Sequence, residues 1–291
     1  MTVPADSFVV PEAFIALAGQ MADAARAAVM PYFRTRALVV DDKEDASPVT
    51  AADRECERIL RALVARAYPG HGVVGEEMAA TRVDAEWVWV IDPIDGTKSF
   101  VTGKPLFGTL IALLHRDRPD RGASFDARVT PEGVHSHDDS PARPVLGIID
   151  HPALDVRYLG VAGRPTTRNG EPVRVRACGA LKDAWLYATT PEMFRPGAEA
   201  EAFTRLKNRV KFPVYGAECL AYGLLADGFV DLVAEATMKP VDYLPLVAVV
   251  EGAGGVITDW QGRSLDLASR GQVLAAGDPR RHAEALAILK G

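Results

Sequence analysis

The run Trp87-Val88-Trp89-Val90-Ile91-Asp92-Pro93-Ile94-Asp95-Gly96-Thr97 limits what this chain can fold into more than any other stretch of it. Five aromatic or β-branched residues in succession read as a buried strand. A carboxylate follows, then a proline, a second carboxylate, and Gly-Thr at the start of a new element. Pro93 fixes its own φ and predicts a turn that lets Asp92 and Asp95 converge on one point. Two carboxylates so placed repel strongly unless a cation sits between them. Oxygen donors without histidine or thiolate favour Mg²⁺ or Mn²⁺ over zinc. Gly96 lets the backbone approach a ligand closely, and the N–H groups of Gly96 and Thr97 at a helix start offer a seat for phosphate. Asp-Gly alone signals only a hairpin turn. The full DPIDGT string at a strand end is far more specific.

Two other acidic positions belong with it. Gly75-Glu76-Glu77 follows the strand-like Val73-Val74 and stands just before the strand that leads into DPIDGT. Paired glutamates on a surface turn are usually solvated charge; at this strand end Glu76 becomes a candidate ligand. Asp242 precedes the apolar run from Tyr243 to Val250, which predicts an N-cap with Pro245 tolerated in the first turn.

The remaining pattern alternates helix and strand. Apolar positions at Phe14, Leu17, Ala18, Met21, Ala25 and Ala28 predict a helix from Pro11 to about Pro31, and Thr50 with Asp53 three residues on resembles a capping box. Strands are expected at Val73-Val74, Trp87–Ile91, Leu106–Leu114, Val145–Asp150, Trp185–Ala188, Val230–Glu235 and Val256–Asp259. Helices are expected at Ala198–Lys207, Ala217–Ala226, Tyr243–Gly252 and Pro279–Leu289. Residues 117–143 are polar and rich in Pro and Gly, and read as an extended hairpin loop; His135, His137, Asp138 and Asp139 within it read as solvated rather than as a metal tract. The two halves divide near residue 145. Residues 1–145 form an N-terminal α+β half carrying GEE and DPIDGT, and 146–291 a C-terminal α/β half carrying Asp242 and the specificity residues.

Composition removes other classes. With 291 residues, 48% hydrophobic and 25% charged, disorder, collagen and coiled coil are excluded. The 33 basic and 39 acidic residues give −6, no footprint for nucleic acid or a membrane surface. Cys56, Cys178 and Cys219 lie far apart, which argues against a disulfide framework or structural zinc. Acids occupy the N-terminal stretch where a signal peptide places positive charge, and a cytoplasmic protein is expected.

DPIDGT, the preceding GEE, the SPVTAAD stretch and VDYLPLVAVVEGAGG together resemble the inositol monophosphatase superfamily of magnesium-dependent phosphatases. Within it, DPIDGTKSFVTGKPLFGTLIALL, the segment from Tyr215 to Ala226, and VVEGAGGVITDW are most similar to the histidinol-phosphatase branch. The resemblance implies an α/β (α+β) fold, a layered αβαβα sandwich of the inositol-monophosphatase/fructose-bisphosphatase type. It implies two to three Mg²⁺ per site, with Mn²⁺ a possible substitute. Glu76, Asp92 and the Ile94 carbonyl would hold the first, and Asp92, Asp95 and Asp242 the second. Thr97 with Glu76 would orient and deprotonate the attacking water, and Asp53 would reach a third metal through water. Glu218 and Glu235 match substrate-facing positions, and Lys43 lies in the stretch matching a mobile active-site loop. The implied activity is hydrolysis of a small-molecule phosphate monoester, foremost L-histidinol phosphate in histidine biosynthesis. The alternatives are inositol monophosphate or a related sugar or nucleotide phosphate, and, more remotely, a catalytically silent metal- or phosphate-binding regulator. A homodimer is possible.

Overall fold

The computed structural model describes residues 9–35, 40–42, 48–116, 128–130, 133–135 and 142–291. Helix α1 (Glu12–Val29) buries Phe14, Leu17, Ala18, Met21, Ala22, Ala25 and Val29, the three- and four-residue spacing expected of it. By length and hydropathy the helical stretch Glu12–Tyr32 is apolar enough to cross a bilayer. Here its apolar stripe packs on α2 and on the adjoining sheet, and its Arg26 pairs with Asp150 and Asp155. Short strands β1 (Val40–Asp42) and β2 (Pro48–Thr50) pair antiparallel and lead into α2 (Ala51–Ala67). The capping box at its start is present: the Thr50 hydroxyl accepts from the Asp53 amide, and the Asp53 carboxylate accepts from the Thr50 amide at 2.8 Å.

Strands β3 (Gly72–Gly75) and β4 (Trp87–Asp95) run parallel, and the one-turn helix α3 (Thr97–Val101) separates β4 from β5 (Gly108–His115). The small antiparallel pair β6 (Arg128–Thr130) and β7 (Gly133–His135) follows. Then come β8 (Arg143–His151), β9 (Val156–Val161), β10 (Thr167–Arg168) and β11 (Glu171–Pro172). Together they form a seven-stranded sheet ordered β11-β10-β9-β8-β5-β4-β3. β5 and β8 are antiparallel neighbours, as the expected hairpin requires, from Thr109↔Asp150 to His115↔Arg143. His137, Asp138 and Asp139 lie outside the described residues. The sheet runs through residue 145 and on to Pro172.

A second, five-stranded sheet follows. Its elements are β12 (Trp185–Ala188), α4 (Ala198–Lys207), β13 (Phe212–Tyr215), α5 (Leu220–Ala226), β14 (Leu232–Glu235), α6 (Pro240–Gly252), β15 (Val256–Thr258), β16 (Val273–Ala276) and α7 (Pro279–Lys290), with strand order β13-β12-β14-β16-β15. α1 and α2 cover one face of the large sheet, α5 and α6 fill the space between the sheets, and α4 and α7 close the outer face of the small one. This is the αβαβα sandwich.

α6 sits in the middle layer and is apolar on every side, burying all of Tyr243 to Val250. It lies close on the large sheet because two strand residues there lack side chains. A Cβ on Gly147 would fall 2.0 Å from the Pro245 carbonyl, and one on Gly160 2.2 Å from that of Ala248. Two helix starts differ from expectation. α5 begins at Leu220 rather than Ala217, because Gly216 and Glu218 hold left-handed φ values of +81° and +51° that a helix cannot contain. α6 begins at Pro240 rather than Tyr243. Asp242 is therefore the third residue of the helix and not its N-cap, and Pro245 lies in the interior.

Candidate active site

β4 does not stop at Ile91. It continues to Asp95, and its pairing with β5 shifts between Asp92↔Leu110 and Asp95↔Gly108, three steps on one strand against two on the other. In a regular strand, residues three apart point to opposite faces. The one-residue bulge at Pro93-Ile94 restores the parity, so Asp92 and Asp95 emerge on the same side. The Thr109 hydroxyl donates to the Pro93 carbonyl at 2.8 Å and the Ile94 amide to Asp92 Oδ1 at 3.0 Å, which fix the bulge. Convergence thus comes from a bulge and not from the turn expected of Pro93.

Asp242 arrives from the opposite direction, on the first turn of α6, where its Oδ2 accepts the Lys239 amide at 2.7 Å. One carboxylate oxygen each from Asp92, Asp95 and Asp242 lies within 4.8 Å of the others. Glu76 reaches the same place by strand register: β3 and β4 are parallel with Gly75 opposite Ile91, so the residue after each is a carboxylate beside the other. Its Oε1 stands 3.3 Å from Lys239 Nζ. The Ile94 carbonyl accepts the Thr97 hydroxyl at 3.1 Å. Gly96 holds φ +76°, and a Cβ there would lie 2.8 Å from Glu218 Cγ.

Removal from water, and then the charges of the neighbouring carboxylates, push Asp92 well above the ordinary carboxylate range. Asp242 is raised for the same reasons, against the relief given by Lys239. Asp95 is pushed up to about 6 by burial and by Glu218 and Glu76, while the amide of Cys219, donating to Oδ2 at 2.9 Å, pulls the other way. A cation among the three oxygens is the direct physical relief of that repulsion. The donors are all hard oxygen, so the residues present fit a divalent cation of the magnesium type.

The other expected site residues divide. Asp53 is buried in the capping box, and its charge adds to the raising of Asp92. Lys43 lies outside the described residues. Glu218 borders the cleft with its Oε1 2.6 Å from the Ser99 hydroxyl and 3.9 Å from Lys104 Nζ. Glu235 lies on the same cleft but is 2% exposed and held by protein donors. Its Oε1 accepts from the Thr189 amide and hydroxyl, both at 2.7 Å, and its Oε2 from Tyr222 at 2.9 Å. Burial still pushes it up to about 7. The cleft measures about 240 Å³ and is lined by Glu76, Asp95, Gly96, Thr97, Glu218, Glu235 and Asp242, among others. Sequence reasoning missed Lys239, although a proline at the next position marked the helix start. It missed the Cys219 amide as well, for which nothing local gives a signal.

The inositol monophosphatase family profile matches residues 11–125 and 141–290. The chain is 43% identical over 286 residues to the chloroplastic bifunctional phosphatase IMPL2 of Arabidopsis thaliana, covering 95% of this chain and 75% of that protein. It is 34% identical to a histidinol-phosphatase of Mycobacterium tuberculosis, over 84% and 87% of the two chains. Among solved structures, an inositol monophosphatase from Zymomonas mobilis superposes with a TM-score of 0.80 at 39% identity, over 96% and 98% of the two chains.

Proposed function

Since this chain belongs to the inositol monophosphatase family and is a phosphoric monoester hydrolase, we propose that its substrate is the phosphate monoester of a cationic alcohol, L-histidinol phosphate, and its cofactor Mg²⁺. The observation that carries the substrate reading is the Glu218 carboxylate. It stands at the cleft wall, on a left-handed backbone that only the surrounding fold can hold in place. A carboxylate there suits a leaving group that carries an amine and an imidazole better than a neutral polyol. The histidinol-phosphatase relative supports the same reading.

Glu76, Asp92 and the Ile94 carbonyl would hold one cation and Asp92, Asp95 and Asp242 another, with Asp53 reaching a third through water. When bound, Mg²⁺ lowers the pKa of water and offsets charge on the phosphoryl and leaving oxygens. Thr97, its hydroxyl aligned by the Ile94 carbonyl, orients the attacking water together with Glu76, which takes the proton. The amides of Gly96 and Thr97 face the phosphoryl oxygens. Water attacks phosphorus in line, the bond from phosphorus to the ester oxygen breaks, that oxygen takes a proton from solvent water to leave as the alcohol, and no phosphoenzyme forms.

A neutral polyol phosphate is the second reading. Lys104, 3.9 Å from Glu218, offsets part of the charge that would select a cation, and the Zymomonas structure carries the inositol monophosphatase name. Phosphate release from a panel of monoesters, with and without Mg²⁺, separates the two. The Glu218→Ala variant should raise KM for histidinol phosphate about tenfold and for a neutral ester less than twofold, since a desolvated charge contact is worth on the order of 1.5–3 kcal/mol. Equal changes for both substrates would remove Glu218 from the specificity argument.

A further inference from the structure

We propose that Glu57, one helical turn beyond Asp53 on α2, is the positioning residue that sets Glu76 for metal binding. Its side chain is fully buried. Oε2 accepts the Glu77 amide at 2.6 Å and Oε1 the Met78 amide at 3.1 Å. Arg61, one turn further along the same helix face, donates Nε to Glu57 Oε1 at 2.7 Å and Nη2 to the Met78 carbonyl at 3.0 Å.

The arrangement explains the glycine of GEE. A Cβ on Gly75 would fall 2.2 Å from Glu57 Oε1 and 2.8 Å from Oε2. Gly75 has a negative φ, so its bare Cα serves here to admit a carboxylate, not to reach a special backbone conformation. Glu76 is thereby held from both sides. Up to Gly75 the chain is fixed by the parallel ladder with β4, and from Glu77 onward by the carboxylate of Glu57. The one residue between these two anchors is the metal-ligand candidate. α2 in turn is fixed at its start by the Thr50–Asp53 box and along its length by α1. Asp53, Glu57 and Arg61, four residues apart, form one stripe that ties the helix to the metal-binding end of the sheet.

Both oxygens of Glu57 accept N–H donors. In the Glu57→Gln variant one of the two amides must face an NH₂ group, and the Arg61 ion pair is lost. The turn at 76–78 then relaxes and Glu76 loses its orientation. Loss of such a supporting partner typically weakens a metal site about 10–100-fold.

The inference rests on the metal-dependent reading above. Its test is Mn²⁺ binding to the folded, substrate-free protein, followed by titration calorimetry, in a double-mutant cycle with Glu76→Gln. Glu57→Gln should weaken Mn²⁺ binding about tenfold in the wild-type background and less than twofold once Glu76 is already glutamine. A milder variant, Arg61→Met, should show the same dependence on Glu76 with about a threefold loss, and it carries the test if Glu57→Gln does not fold. A structural role alone lowers the melting temperature and leaves Mn²⁺ affinity unchanged. Affinity within twofold of wild type, or equal losses in both backgrounds, overturns the proposal. Wild-type protein that binds no Mn²⁺ overturns the metal-dependent reading, and this inference with it.

Discussion

The floor and the wall of the cleft are both built of buried or half-buried carboxylates, and they are held to different degrees. On the wall, Glu235 faces donors on both oxygens: Thr189 on one, Tyr222 on the other. On the floor, Asp92, Asp95 and Asp242 each accept one backbone amide and bring one oxygen within 4.8 Å of the other two, and burial together with neighbouring carboxylates, Glu76 among them, raises all three. The fold supplies donors to both oxygens of the wall carboxylate but only one backbone amide to each floor carboxylate, and leaves the rest to come from solution. The conflict between stability and charge is therefore sharper on the floor than on the wall.

The largest effect should follow from removing one floor charge. Asp92→Asn is expected to lower kcat/KM by about 10³-fold or more, since several kcal/mol of charge stabilisation at phosphorus depend on that ligand set. The same variant should melt a few degrees higher than wild type in chelator, because one of three mutually repelling carboxylates has gone. A lower melting temperature in chelator would show that the floor is not under electrostatic strain.

The pH dependence of stability is the next test. Asp95 is raised from its ordinary range to about 6, and Asp92 and Asp242 are also raised, by burial and by their neighbours. Between the unfolded value near 4 and these folded values, the native state binds more protons than the unfolded one, so stability falls as pH rises. Metal-free protein should lose several degrees of melting temperature between about pH 4.5 and 7, at roughly 2–4 °C per kcal/mol for a chain of this size. Mg²⁺ at saturation should flatten that slope, since the cation takes the place of the protons. A slope unaffected by Mg²⁺ would separate the acidic cluster from metal binding.

Much of the floor was legible in the sequence, and the reason is local. DPIDGT places two carboxylates, a glycine and a hydroxyl within six residues, and GEE and Asp242 each stand at the end of an element. How they meet was not legible. The bulge that aligns Asp92 with Asp95 is a mismatch in register against β5, and no single strand carries that information. Asp242 was misplaced within its helix because α6 is apolar all round. It has no period from which to phase its first turn, although Lys239-Pro240 marked the start. The αβαβα layering followed from the resemblance and the β5–β8 pairing from the expected hairpin, but the sheet's extension through β9 to β11 did not, because β10 and β11 are only two residues long and carry no strand pattern. Contacts such as Cys219 to Asp95, or Glu57 to the GEE turn, join residues from separate elements and leave no pattern along the chain.

The smallest effect is expected on the wall, and it sharpens the contrast most. In Glu235→Gln the amide oxygen can keep both Thr189 donors, and the Tyr222 hydroxyl can rotate to accept from the new NH₂. The cost in packing and hydrogen bonding should stay within about 1 kcal/mol. Because burial pushes Glu235 up to about 7, its ionisation also costs the wild-type protein stability as pH rises from its unfolded range through that value. The glutamine variant cannot ionise there, so its melting temperature relative to wild type should improve steadily from pH 5 to pH 8. Mg²⁺ should leave that difference unchanged, since Glu235 has its partners within the protein. If added Mg²⁺ abolishes it, the carboxylate of Glu235 belongs to the floor, and the division between a self-sufficient wall and a cation-dependent floor is wrong.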